Sequence, residues 1–295
     1  MSLTWVKPLL KTMRPRQWVK NGLLFIPIIF DKQLTNWPAL ARTALGVILF
    51  CLLSSVIYII NDLVDLEADR KHPTKKLRPL PSGALTVRTA KIAGIVFTLI
   101  VFIPATIMSL EFALIGLSYL MLNLAYSAWL KHKPILDVMC LASFYVLRVA
   151  AGVSLITVTR FSPWLYVFTT FLALYMGIGK RRAELKLLAD GANSHRKSLG
   201  EYSVPLLDQL ILIVSSSAII TYSLYTFSAP NMPANHTMML TIPFVIYGIF
   251  RYLYLIEVKE YGGEPEEVLL TDRPLQVTIV LWALSIMVIF YSFPV

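Results

Sequence analysis

The sequence predicts an all-α integral membrane protein, a bundle of nine transmembrane helices, on three observations. Of its 295 residues 57% are hydrophobic and 15% charged, and its mean hydropathy is +0.67, far from the balance of a soluble domain. Apolar runs long enough to cross a bilayer recur along its whole length. Lys and Arg crowd into alternate connections between those runs, the pattern of a multi-pass chain.

In chain order the expected spans are residues 20–35, 43–61, 90–109, 111–129, 135–156, 161–179, 205–227, 237–256 and 275–293. The first is short and contains Pro27. Ahead of it, MSLTWVKPLLKTMRPRQWVK interleaves basic residues with Trp5, Leu9, Leu10 and Trp18 and has no continuous apolar core, so no cleavable signal peptide is expected. Residues 1–19 read instead as an amphipathic, interfacial segment leading into one helical membrane domain over 20–295.

The basic residues also predict orientation. Of the 27 Lys and Arg, five lie in residues 1–20, seven in 61–91, two in 130–134, six in 180–200 and two in 257–274, whereas the alternate loops hold only Lys32, Arg42 and Arg160. The N-terminus is therefore expected in the cytoplasm of a cell membrane, with any chemistry on the same face. Cys51 and Cys140 fall within spans, and His72, His132, His195 and His236 are scattered over different loops, so neither a disulfide nor a zinc site is expected.

The stretch YIINDLVDLEADRKHPTKKLRPLPSG, residues 58–83, carries the most chemistry. Asn61, Asp65 and Asp69 follow one another at i, i+4 and i+8, one face of a helix if the second span continues through them, with Tyr58 a turn earlier and Asp62 and Glu67 pointing elsewhere. Two or three oxygen ligands on one helix suit Mg2+, which keeps several waters and shares its other positions with phosphate oxygens. Solvated ion pairs would explain the charges equally blandly, but not their start inside an apolar span, where carboxylates are costly. The Pro-rich run that follows is a loop holding Arg70, Lys71, Lys75, Lys76 and Arg78, suited to orienting phosphates as well as to marking topology.

Three further groups stand out. Lys131 and Lys133 close the fourth span. Asp137 and Arg148 lie eleven residues apart in the fifth, on one helix face and about 16 Å apart along the axis; Arg148 is deep in the apolar run, where an ionisable residue is either functional or half of an ion pair. Lys180, Arg181 and Arg182 end the sixth span, as a phosphate clamp or a stop signal at a helix C-terminus.

These motifs resemble the UbiA superfamily of intramembrane prenyltransferases, whose first Asp-rich motif has the form N-D-x-x-D-x-x-x-D, matched here by Asn61, Asp62, Asp65 and Asp69. Where that superfamily has a second acidic motif, this chain reads GKRRAEL, with Glu184 and Asp190 at unmatched spacing. The departure resembles the branch that acts on decaprenyl phosphate in actinobacterial cell-wall synthesis, as do RPRQWVKN, LNLAYSAWLKHKPILDV, LRVAAG, RYLYLI and GGEPEE in their order. The resemblance implies a nine-helix UbiA-type fold with a cytoplasm-facing cavity, and transfer of the phosphoribosyl group of phosphoribosyl pyrophosphate to a polyprenyl phosphate.

The expected roles follow from that chemistry. Mg2+ on Asn61 and Asp65, with Asp69 as a further catalytic carboxylate, stabilises the departing diphosphate. Lys20, Tyr58, Lys75, Lys131 and Arg148 bind the donor; Lys180, Arg181 and Arg182 bind the lipid phosphate; Asp137 meets the ribose hydroxyls or orients Lys131 or Arg148. The acceptor is already an anion and needs no general base. No organic cofactor and no nucleic acid is called for; membrane lipid is a partner, and a homo-oligomer is compatible. A UbiA-type enzyme moving a prenyl group to a small polar acceptor would keep the first motif but want the second acidic one. A transporter of phosphorylated metabolites would explain Arg148 but not the magnesium-type motif.

Overall fold

The computed structural model describes residues 5–158, 162–189, 197–229, 232–259 and 265–293, and every regular element among them is helical. Asp190, His195, Arg160 and the first half of GGEPEE, residues 262–264, lie outside the described residues. The chain divides into two compact units.

The first unit comprises the described residues within Met1–Ile28, Gln33–Ser127 and Leu147–Thr157. It contains α1 (Val6–Met13), a 3-10 helix over Pro15–Phe25, the start of α2 (Ile26–Phe30), α3 (Trp37–Val64), α4 (Leu66–Lys71), α5 (Val87–Met108), α6 (Leu110–Ala128) and the C-terminal end of α7 (Leu136–Val153). Side-chain caps start the long helices: Asn36 accepts from the Ala39 N–H, Thr86 from Thr89 and Ser109 from Phe112. The buried face of α1, Leu9 and Met13, packs with Ile59, Leu80, Leu85, Ala90 and Ala93, while Trp5 and Leu10 stay exposed. That is the amphipathic division expected of this segment.

Close backbone approach shapes the rest of this unit. A Cβ on Gly152 would stand 2.3 Å from the Leu24 carbonyl oxygen, so only glycine lets α7 lie against the 3-10 helix there. Phe50 of α3 stacks against Phe112 and Tyr119 of α6 with centroids 5.6 and 5.5 Å apart.

The second unit holds the beginning of α7, α8 (Pro163–Ala189), α9 (Val204–Ser228), α10 (Ile242–Glu257), α11 (Pro265–Thr271) and α12 (Arg273–Ser292), with short 3-10 turns over Leu130–His132, Lys197–Glu201 and Thr237–Thr241. Aromatic side chains fill it: Phe168 against Tyr222 at 5.0 Å and Tyr175 against Tyr252 at 5.3 Å. Several polar ends find partners, Tyr175 donating to the Ile249 carbonyl and Trp282 to the Tyr222 hydroxyl. A buried hydroxyl or indole N–H left without one would be costly.

Among the described residues seven helices are long and apolar enough to cross a membrane: Trp37–Val64, Val87–Met108, Leu110–Ala128, Leu136–Val153, Val204–Ser228, Thr237–Glu257 and Arg273–Ser292. The remaining two expected spans take other forms. Residues 20–35 are not one helix, because Pro27 has no N–H for the Leu23 carbonyl, and the chain runs as a 3-10 helix and then five residues of α2. Residues 161–179 fall mostly within α8, 27 residues and about 40 Å long, whose C-terminal turns are charged. On α5 the side chains of Ile92, Ile95, Leu99, Ile103 and Ile107 are all more than half exposed, an apolar stripe that water would not tolerate and lipid would.

Candidate active site

The magnesium-type motif does not sit on one continuous helix. α3 ends at Val64, Asp65 takes a bridge conformation (φ −85°, ψ 4°), and α4 begins at Leu66. The Asp65 N–H still bonds the Asn61 carbonyl at 2.9 Å and the Asp69 N–H the Asp65 carbonyl at 2.8 Å, so the helical turn survives the break. The break redistributes the carboxylates. Asp62, expected to point away from the motif, is buried and joins Asp69: Arg78 donates to Asp69 at 2.7 Å and to Asp62 at 3.4 Å. Arg14 bonds Asp62 at 2.8 Å and covers the Tyr58 ring at 4.5 Å. Lys75 lies 3.8 Å from Asp69.

Asp65 differs from both neighbours. Among the described residues its half-buried carboxylate has no hydrogen bond or ion pair, and one turn earlier Asn61 Oδ1 accepts a 2.9 Å bond from the Ser127 hydroxyl of α6. No group of three or more His, Cys, Asp or Glu able to hold a metal occurs among the described residues. A hard divalent cation held by two protein oxygens fits this donor set, because it fills its other positions with water and phosphate. Asp69, buried and paired with Arg78, is better placed to order the basic loop than to be a ligand.

Arg14 and Ser127 carried no separate signal in the sequence. Arg14 takes a left-handed conformation (φ 53°, ψ 63°), rare outside glycine, between α1 and the 3-10 helix. The Arg-Pro step in RPRQW is the trace of that turn.

Lys20 lies half-buried on the same 3-10 helix, beside the fully buried Asn21. Asn21 Oδ1 accepts from Arg148 Nε at 2.8 Å, and Arg148 Nη2 donates to the Tyr119 hydroxyl at 2.6 Å with its guanidinium 4.9 Å from that ring. These two contacts come from neutral groups and fix the direction of the guanidinium.

In the second unit Asp137 begins α7 with no exposed surface. Its Oδ2 accepts from Arg181 Nε at 2.7 Å; its Oδ1 accepts from the Tyr202 hydroxyl at 2.7 Å and the Val138 N–H at 2.9 Å. Both oxygens are thus engaged within the protein, by Arg181, Tyr202 and a backbone N–H and not by Lys131 or Arg148. Burial and the bond to Asp137 push the Tyr202 hydroxyl pKa above the ordinary tyrosine value, so it stays a donor. Half-buried Lys131 belongs to the turn just before α7.

The basic trio at the end of α8 splits. Arg181 is wholly buried between Asp137 and Glu184. Arg182 is buried and bonds Asp208 at 2.5 Å and Glu257 at 2.6 Å, and Nη1 has no hydrogen-bond partner among the described residues. Only Lys180 is half-exposed. Where the sequence suggests three cations for a lipid phosphate, the structure has two committed to protein carboxylates, supplied by α7, α9 and α10 from far along the chain.

Comparison with known proteins places this geometry. Residues 28–270 match the sequence model of the UbiA prenyltransferase family. The chain is 31% identical over 285 residues to a decaprenyl-phosphate phosphoribosyltransferase of Mycobacterium tuberculosis, covering 95% of this chain and 93% of that one. It is 33% identical over 292 residues to the protein of that name from Mycolicibacterium smegmatis, covering 94% and 90%. Among solved structures, a UbiA homolog from Archaeoglobus fulgidus bound to GPP and Mg2+ superposes with TM-score 0.72 at 21% identity, over 96% of this chain and 99% of that one.

Proposed function

The chain belongs to the UbiA prenyltransferase family, and from its near full-length similarity to decaprenyl-phosphate phosphoribosyltransferases we infer that it is a multi-pass membrane enzyme transferring the 5-phosphoribosyl group of phosphoribosyl pyrophosphate to a polyprenyl phosphate. Pyrophosphate leaves, and the product is polyprenylphosphoryl-5-phosphoribose, a precursor of arabinose donors for cell-wall arabinan. The observation that carries this reading is the ion-paired Arg181 and Arg182 where a second acidic motif would hold a prenyl diphosphate. The acidic residues described there are paired with Arg181 and Arg182 and do not have the spacing of a second metal motif, so the diphosphate handled at Asn61 and Asp65 belongs to a sugar.

The reaction breaks the bond between the anomeric carbon and the pyrophosphate oxygen and forms one to a phosphate oxygen of the lipid. Asn61 and Asp65 would hold a Mg2+, and that ion would supply charge neutralisation to the leaving diphosphate. Lys20, Tyr58, Lys75, Lys131 and Arg148 bind the donor. Arg148, fixed by Asn21 and Tyr119, is preorganised for an anion and needs no rearrangement to meet it. Lys180 binds the lipid phosphate; Arg182, held by Asp208 and Glu257, and Arg181, through Asp137, act as support. The lipid phosphate attacks as an anion, with no general base, from the face opposite the diphosphate, giving a β-linked product.

Nine crossings bring the N-terminus and the catalytic loops to the cytoplasm, the seven apolar helices being joined by α8 and the 15–30 segment. The test is direct: purified protein, phosphoribosyl pyrophosphate, a polyprenyl phosphate and Mg2+ yield pyrophosphate and a labelled lipid. Absence of both products over a range of lipid lengths would overturn the reading.

A further inference from the structure

The connection from α6 to α7 carries Lys131 and ends at Ile135, whose φ of 66° lies in the left-handed region. A β-branched residue is rare there, so contacts from outside the loop must hold it. The segment before α9 supplies them. The Ser198 hydroxyl donates to the Lys131 carbonyl at 3.0 Å. The Ile135 N–H donates to the Tyr202 hydroxyl at 2.6 Å, and that hydroxyl donates to Asp137 Oδ1 at 2.7 Å. Ser198 and Tyr202 are both buried. One hydroxyl thus ties the strained end of the loop to a carboxylate that Arg181 already fixes, and the other holds the backbone of the lysine itself.

We propose that Ser198 and Tyr202 are positioning residues for Lys131, holding the 129–135 loop so that its ammonium meets a phosphate of phosphoribosyl pyrophosphate. The proposal rests on the reading of Lys131 as a donor ligand. An ammonium is a point charge on a flexible stem, and its worth to a phosphate depends on where its backbone is anchored. Both residues act through the loop and not on the reacting atoms.

The test uses the full-length protein with Mg2+, phosphoribosyl pyrophosphate and polyprenyl phosphate. Tyr202→Phe and Ser198→Ala should each raise KM for phosphoribosyl pyrophosphate about fivefold, the worth of one hydrogen bond, with kcat and the lipid KM little changed. Ser198→Thr, which keeps the hydroxyl, should restore the wild-type value. In a Lys131→Ala background Tyr202→Phe should weaken the binding of phosphoribosyl pyrophosphate, measured by calorimetry, no further. A fall in kcat at constant KM, or losses that add to that of Lys131→Ala, would overturn the proposal. Should Tyr202→Phe not fold, the Ser198 pair decides it. If the wild type transfers nothing, the functional reading fails instead, and calorimetry still separates the two: weaker donor binding by the variants supports the positioning role, and equal affinity sinks it.

Discussion

Arg181 and Asp137 meet at 2.7 Å, and neither side chain has any exposed surface. Breaking one half of a fully buried ion pair strands the other charge, at a cost of about 3–5 kcal/mol. Arg181→Ala should therefore melt well below the wild type in detergent, with poor recovery of folded protein. A variant with an unchanged melting temperature and a raised KM for the lipid would return Arg181 to the lipid phosphate.

Lys180, one residue earlier and half-exposed, should behave in the opposite way. Lys180→Ala should melt like the wild type and raise KM for polyprenyl phosphate about tenfold, the worth of one charge-assisted bond. An effect confined to the donor would show that the two phosphates are assigned the wrong way round.

The carboxylates of the first motif should also separate. Asp65 has no hydrogen-bond or ion-pair partner among the described residues, so Asp65→Ala should reduce pyrophosphate release at least about 100-fold with little change in melting temperature. Asp62→Ala removes the shared partner of Arg14 and Arg78 and should lower the melting temperature. Normal turnover in Asp65→Ala would remove the metal role.

Gly152→Ala would place a methyl carbon 2.3 Å from the Leu24 carbonyl, backbone that cannot swing aside. Overpacking of this kind costs about 1–3 kcal/mol. The displaced 3-10 helix carries Lys20 and Asn21, the latter a partner of Arg148, so a raised KM for phosphoribosyl pyrophosphate should accompany the loss of stability. Wild-type stability and kinetics together would show that the helices can part without consequence.

Asp272 caps α12 and pairs with Arg251 at 2.8 Å; the hydrogen bond from that guanidinium holds its carboxyl below the ordinary value. A depressed folded pKa means stability that is fully present above the unfolded value of about 3.9 and lost as pH falls through the folded one. Asp272→Asn keeps a capping oxygen but not the charge. Its melting temperature should lie below that of the wild type at pH 7, and the gap should close below about pH 4. A gap constant over that range would mean that the ion pair contributes nothing.

Much of this was legible in the sequence because the relevant physics is local. Helix class and most span positions follow from run lengths of apolar residues, which lipid imposes directly. The first motif is readable because Asn61, Asp62, Asp65 and Asp69 lie within nine residues, and the reaction because GKRRAEL occupies a place where carboxylates would otherwise stand. The span at 20–35 and the unbroken helix through Asp69 were less legible. Pro27 and the helix break at Asp65 divide them, and hydropathy does not register backbone hydrogen bonds.

By itself the sequence determined that this is a many-helix membrane protein, the family it belongs to, and which residues carry charge. Only the tertiary structure decided which partner each charge meets. Arg78 closes on Asp69 nine residues away, but Arg181 reaches Asp137 across 44 residues and Arg148 reaches Asn21 across 127. In an apolar interior a charge must find a partner, and which one it finds depends on where distant helices bring their ends. That pairing leaves Asp65 without an ion pair among the described residues and Lys180 half-exposed, and it closes Arg181 between Asp137 and Glu184.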